Sequence, residues 1–152
     1  MGMLDEIEAI RQLKYRYFRA LDTKRWDDLA DTLAEDASAA YDSGRYSYEG
    51  RDAIMGFLRG ALGSTRLVSM HHGHHPEIVL TGETTARGTW YLEDTVIFRD
   101  ANAILRGAAF YEDAYVKIDG AWKIRSTGYE RTFEMMENCA ESMQLRTRFD
   151  EG

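Results

Sequence analysis

The apolar residues of this chain change their period near residue 63, and that switch constrains the fold more than any single motif. Up to Leu62 they recur every three or four residues; from Thr65 onward they alternate. A period of about 3.6 and a period of two cannot belong to one element, so helices must come first and a sheet after them. Ile7, Ile10, Lys14, Tyr17, Phe18 and Leu21 fall on one stripe and predict an amphipathic helix over 3–21. Trp26, Leu29, Ala30 and Leu33 predict a second, shorter one, and Ile54, Phe57, Leu58 and Leu62 a third, after the turn signal Glu49-Gly50. A short strand over 37–42 separates the last two. Strands are then expected at 66–72, 77–81, 85–99, 103–118 and 121–131. Turns are signalled by Thr81-Gly82-Glu83-Thr84, by Arg99-Asp100-Ala101-Asn102 and by Asp119-Gly120. Two of these runs far exceed the usual five or six residues, so the sheet must bend and can enclose a cavity. Phe133, Met136, Cys139, Ala140 and Met143 return to a spacing of three or four, which predicts a C-terminal helical extension over 132–148, with a lid over the cavity mouth and plain core filler as its alternative roles.

With 152 residues, no internal repeat and no Pro- or Gly-rich linker, the chain is expected to form a single domain over 1–152. Lys and Arg number 19 against 26 Asp and Glu, a net charge of -7 that disfavours nucleic acid and anionic membrane surfaces. Cys139 stands alone and the first residues lack a basic-then-apolar leader pattern, so a cytoplasmic protein is the expectation. Small neutral or partly apolar molecules are the expected partners.

Several polar residues sit where the pattern calls for apolar ones. Positions 90, 92, 94, 96 and 98 share one strand face and read Trp, Leu, Asp, Val and Phe. A buried carboxylate needs a partner or a function, so Asp94 is either bonded to backbone amides or an arginine, or part of a site. Asp22 follows the last apolar residue of the first helix, where the helix dipole disfavours an acid. It either starts a turn or does chemistry. Ser69-Met70-His71-His72-Gly73-His74-His75 gathers all four histidines, yet alternation turns neighbours to opposite faces, which speaks against a metal site. A single His with a carboxylate fixing its tautomer is the chemical alternative. No Gly-x-Ser-x-Gly elbow or Gly-rich phosphate loop is present. Arg125 and Arg131 share a strand parity and are candidates for holding an anionic group.

Together, Tyr17-x4-Asp22, Trp26-Asp27-Asp28-Leu29, Tyr48-Glu49-Gly50, His71-His72-Gly73 and Tyr111-Glu112-Asp113 with Ala121-Trp122-Lys123-Ile124 resemble the SnoaL-like branch of the nuclear transport factor 2-like superfamily, over roughly residues 3–131. Within that branch the chain is similar to bile acid 7α-dehydratase, scytalone dehydratase and hexachlorocyclohexane dehydrochlorinase, lyases that use no cofactor. The resemblance implies an α+β cone: a barrel of strongly curved antiparallel or mixed sheet capped by the three N-terminal helices. It places the family's dyad on His71 and Asp22, with Tyr17 and Asp94 as further catalytic groups. Ser69, Tyr48, Trp90, Phe110, Tyr129 and Arg131 are the candidate substrate contacts. A dehydratase acting on a cyclic or polycyclic carbonyl compound is the leading expectation. An isomerase, an aldol cyclase and a non-catalytic binding module stand as alternatives. A homotrimer or dimer joined through the outer sheet face is also implied.

Overall fold

The computed structural model describes residues 2–150. The opening stripe forms α1 (Met3–Thr23), followed by α2 (Trp26–Asp31), β1 (Leu33–Tyr41), β2 (Tyr46–Glu49), α3 (Arg51–Leu62), β3 (Leu67–Leu80), β4 (Thr85–Phe98), β5 (Ala103–Ile118) and β6 (Ala121–Asn138). The six strands make one sheet in the order β2-β1-β6-β5-β4-β3, in which only β1 and β6 run parallel. It curls around the helices without closing, so β2 and β3 remain edges. The α1 stripe buries Ile10, Leu13, Tyr17, Phe18 and Leu21 against the inner face. At roughly 1.5–3 kcal/mol for each large apolar side chain enclosed, this contact is what seats the helix.

The two expected strands 66–72 and 77–81 are one. Their ladder to β4 skips between His74 and Glu77, where His75 takes a left-handed backbone with φ 29 before Pro76. Proline has no N–H for the ladder, and a bulge on an edge strand is a place where none is needed.

The C-terminal helix does not form. Ladder pairs run from Ala108↔Phe133 to Ala103↔Asn138, so the segment after Arg131 extends β6, and the residues beyond Asn138 are turns and irregular chain. The helical spacing is a by-product of a strand with apolar residues on both faces: Met136 lines the inner cavity, whereas Phe133 and Met135 face out. Pairing with β5 outweighs the helix propensity of Met and Glu. The tail is tied back instead by Cys139 N–H to the Asn102 carbonyl and by an ion pair between Arg99 and Asp150.

Alternation also misplaces the two arginines. β6 slips register between Ile124 and Ser126 and again between Arg131 and Phe133. Each bulge turns the strand over, so Trp122 and Ile124 face inward, then Thr127, Tyr129 and Arg131, then Glu134 and Met136. Arg125 sits on the first bulge and points outward to Asp36, 2.8 Å away.

Candidate active site

The end of α1 resolves the Asp22 anomaly. Its carboxylate reaches across to β3, where Oδ2 accepts the His71 backbone N–H at 2.8 Å and Oδ1 accepts the Ser69 hydroxyl at 2.9 Å. Oδ1 also lies 2.7 Å from His71 Nδ1. An ionised carboxylate only accepts, so Nδ1 carries the ring proton and Nε2 keeps a free lone pair. The His71 side chain is 9% exposed and Asp22 22%, which limits competition from water. Phe18 stacks on the imidazole with planes 9° apart.

His71 lies in a row that crosses four strands through the pairs His71↔Asp94, Asp94↔Gly107 and Gly107↔Glu134. All four positions share the concave face. Gly107 leaves the space that the Arg131 guanidinium fills: a Cβ there would stand 2.8 Å from Nη1. Arg131 therefore lies over Gly107 and grips both oxygens of the enclosed Asp94, with Nη2 to Oδ2 at 2.9 Å. Its Nε is 3.4 Å from Glu134. Burial opposes the guanidinium charge, but the bidentate carboxylate more than offsets it and holds Arg131 above its ordinary pKa.

These groups face a cavity of about 430 Å³. Its polar lining is His71, Asp94, Arg131 and Glu134 with Tyr17, Tyr41, Tyr111 and Tyr129, and Asp42 and Arg45; the next row of the sheet, Val96, Leu105 and Met136, is apolar, as are Leu62 and Phe98. Tyr17 and Tyr41 share a hydrogen bond of 2.9 Å between hydroxyls. Burial pushes Tyr17, Tyr41 and Tyr111 well above the ordinary tyrosine value and Tyr129 up to about 12. A phenol whose folded pKa is raised contributes stability that is complete below the unfolded value and is lost as pH rises toward the folded one. Alkaline unfolding is therefore expected between about pH 10 and 12, with ionisation of these buried tyrosines, read residue by residue by NMR, coinciding with loss of structure. Ionisation of Tyr17, Tyr41 or Tyr111 at about pH 10 with the structure retained would contradict this.

Four predicted contacts lie elsewhere. Trp90 is wholly buried behind the site and donates its indole N–H to Tyr115. Phe110 faces outward against Tyr91, as the pairs Trp90↔Tyr111 and Tyr91↔Phe110 require: with Trp90 inside, Tyr111 is inside and Phe110 is not. Tyr48 stacks on the back of Phe57, which lines the cavity in its place. Ser69 serves Asp22. Tyr17, Asp94, Tyr129 and Arg131 do line the cavity with His71. His72, His74 and His75 pack ring to ring along β3, and no group of three or more His, Cys, Asp or Glu among the described residues is arranged for a metal ion.

Tyr41, Tyr111 and Phe18 were not singled out by the sequence as site residues, because each reads as ordinary core. Gly73 carries a usable signal for Phe18. A Cβ on Gly73 would sit 2.4 Å from the Phe18 ring, so the ring rests directly on the backbone of the His71 strand. Gly73→Ala is expected to cost about 1–3 kcal/mol, read as a lower thermal midpoint, by forcing Phe18 off the imidazole. An unchanged midpoint would contradict that contact.

The family model for a SnoaL-like domain matches residues 2–128. Among solved structures, a protein from Novosphingobium aromaticivorans named for scytalone dehydratase superposes with a TM-score of 0.80 at 24% identity, over 94% of this chain and 91% of that one. A hexachlorocyclohexane dehydrochlorinase, LinA-type3 from Novosphingobium barchaimii, gives 0.80 at 17% identity over 95% and 96%. Aln2 from a Streptomyces species gives 0.71 at 20% over 86% and 93%. At these identities the structures speak for the fold, and the family model speaks for descent: the chain belongs to the SnoaL-like family.

Proposed function

We propose that this protein is a cofactor-independent lyase that eliminates water from a β-hydroxy cyclic or polycyclic carbonyl compound. The observation that carries the reading is the 2.7 Å contact between Asp22 and His71 Nδ1 at the wall of a partly apolar, tyrosine-lined cavity. His71 Nε2 removes the proton from the carbon next to the carbonyl, and the electron pair passes through the enolate into the new double bond as the β C–O bond breaks. The departing hydroxide takes its proton from Tyr17, which recovers one from the imidazolium. Asp22 stabilises that imidazolium. Asp94 acts by holding Arg131 against the leaving group, since both its oxygens already accept from the guanidinium. Leu62, Val96, Phe98, Leu105 and Met136 suit a fused-ring skeleton.

The test is to offer 3-hydroxy-1-tetralone, whose dehydration gives the aromatic 1-naphthol, and to follow product by absorbance and mass. Loss of water supports the reading. A product of unchanged mass points to an isomerase or cyclase using the same base, and no turnover of any β-hydroxy cyclic ketone in a panel would overturn the dehydratase reading. Tyr91, Phe110, Phe133 and Met135 on the outer sheet face are where copies of the chain are expected to meet.

A further inference from the structure

Behind the cavity floor lies a charge pair that the proposed reaction does not use. Lys14 Nζ and Asp113 Oδ2 are 2.8 Å apart, and neither side chain has any exposed surface. Among the described residues no other ion pair is so enclosed. Asp113 also accepts from Tyr115 at 2.8 Å and from Thr127 at 2.6 Å, so both its oxygens are hydrogen-bonded. Taking two ions out of water is costly, and well-packed apolar residues generally do as well for stability. Lys14 stands on the otherwise apolar stripe of α1, where a leucine would serve packing alone.

The surroundings of the ammonium suggest what the charge is for. It lies 3.8 Å from the centre of the Tyr111 ring, 4.6 Å from Tyr17 and 5.1 Å from Phe18. Those rings are the ones that meet the reaction space: Tyr17 and Tyr111 line the cavity, and Phe18 stacks on His71. The pair also has a direction. Its positive end abuts the rings and reaches Thr127 Oγ1 only at 3.5 Å, whereas its negative end is held by Thr127 and Tyr115 at 2.6 and 2.8 Å, neither of which lines the cavity.

We propose that Lys14 and Asp113 are positioning residues that form an electrostatic floor, fixing Tyr17 and Tyr111 and biasing the cavity toward an oxyanion at their hydroxyls. A cation against a ring face draws on its π electrons and strengthens the phenolic O–H as a donor, acting against burial and the Asp113 charge, both of which hold these phenols above their ordinary value. With water excluded, the field of the pair reaches through the rings with little screening. The class of molecule this favours is one that carries or develops negative charge on oxygen, an enolate or a phenolate. The inference rests on this cavity being the reaction site and is independent of which reaction occurs there.

The test uses 4-nitrophenol, whose anion is yellow, titrated over pH in the presence of wild type and of Lys14→Met/Asp113→Asn. The double change removes both charges at nearly constant volume, while Asp94, Arg131, Glu134, Asp42 and Arg45 around the cavity stay as they are. Wild type is expected to favour the bound phenolate by about tenfold, a downward shift of about one pKa unit in the dye. The double variant is expected to lose most of that preference while remaining folded. Should it fold poorly, Lys14→Gln/Asp113→Asn, which keeps an uncharged hydrogen bond in place, carries the same expectation. An equal preference in wild type and variant, or none in wild type, overturns the proposal. Because the dye undergoes no elimination, a positive result without dehydratase activity removes only the proposed reaction. The converse result removes only this inference.

Discussion

His71→Ala is expected to lower turnover of a β-hydroxy cyclic ketone by roughly 10²–10⁴-fold, the usual contribution of a positioned general base. The loss should fall on kcat, with KM little changed, because the imidazole acts on a proton that moves only in the transition state. The variant should still fold. Asp22 keeps the Ser69 hydroxyl and the backbone N–H of residue 71 as donors, so its charge is not stranded. Asp22→Asn is the sharper companion. An amide turned toward Nδ1 can donate to it, which moves the ring proton to Nε2 and leaves no lone pair facing the cavity. Its turnover should therefore drop with the histidine intact. Equal kcat for wild type and either variant would contradict the assignment of the base.

Lys14→Met alone is expected to destabilise the protein by about 3–5 kcal/mol, because it strands the Asp113 carboxylate in a dry interior. For a chain of this size that corresponds to a fall in Tm on the order of 10 °C. Burial already holds the Lys14 ammonium below its ordinary pKa, and Asp113 works against that. The two residues therefore depend on each other. Adding Asp113→Asn to Lys14→Met should recover most of the lost stability, since a neutral amide can keep its hydrogen bonds to Tyr115 and Thr127. Urea denaturation of the two single and the double variants gives the coupling directly. Additive losses would mean that the pair is not a unit.

The three helices and the long strands β3–β6 were legible because α1 and the strands each expose one face, and a one-sided element writes its period into the sequence; β2, four residues at the sheet edge before α3, is too short to do so. The histidine, the aspartate at the helix end and Asp94 were legible for the opposite reason: each breaks a period. What stayed hidden depended on register. The bulges at Arg125 and Thr132 turn β6 over twice, so no single parity tells which arginine faces inward, and the apolar residues after Arg131 imitate a helix. Trp90 and Phe110 cannot both face inward once β4 and β5 pair at Trp90↔Tyr111, but that pairing is a property of the folded sheet. Tyr41 and Tyr111 read as core and are core by burial; only the cavity beside them makes them functional. Lys14 did break the α1 stripe. A lysine placed among Ile10, Tyr17, Phe18 and Leu21 is as informative as an aspartate in a strand.

The central claim is that Asp22 fixes His71 with its proton on Nδ1 and a lone pair on Nε2 toward the cavity. Nitrogen-15 NMR of histidine-labelled protein reads this without any substrate. In the neutral imidazole of His71, Nδ1 is expected to give a protonated-type shift with a proton that exchanges slowly, and Nε2 an unprotonated-type shift, with the two roles exchanged in Asp22→Asn. A proton on Nε2 in the wild-type protein, or the two tautomers in rapid equal exchange, would contradict the account.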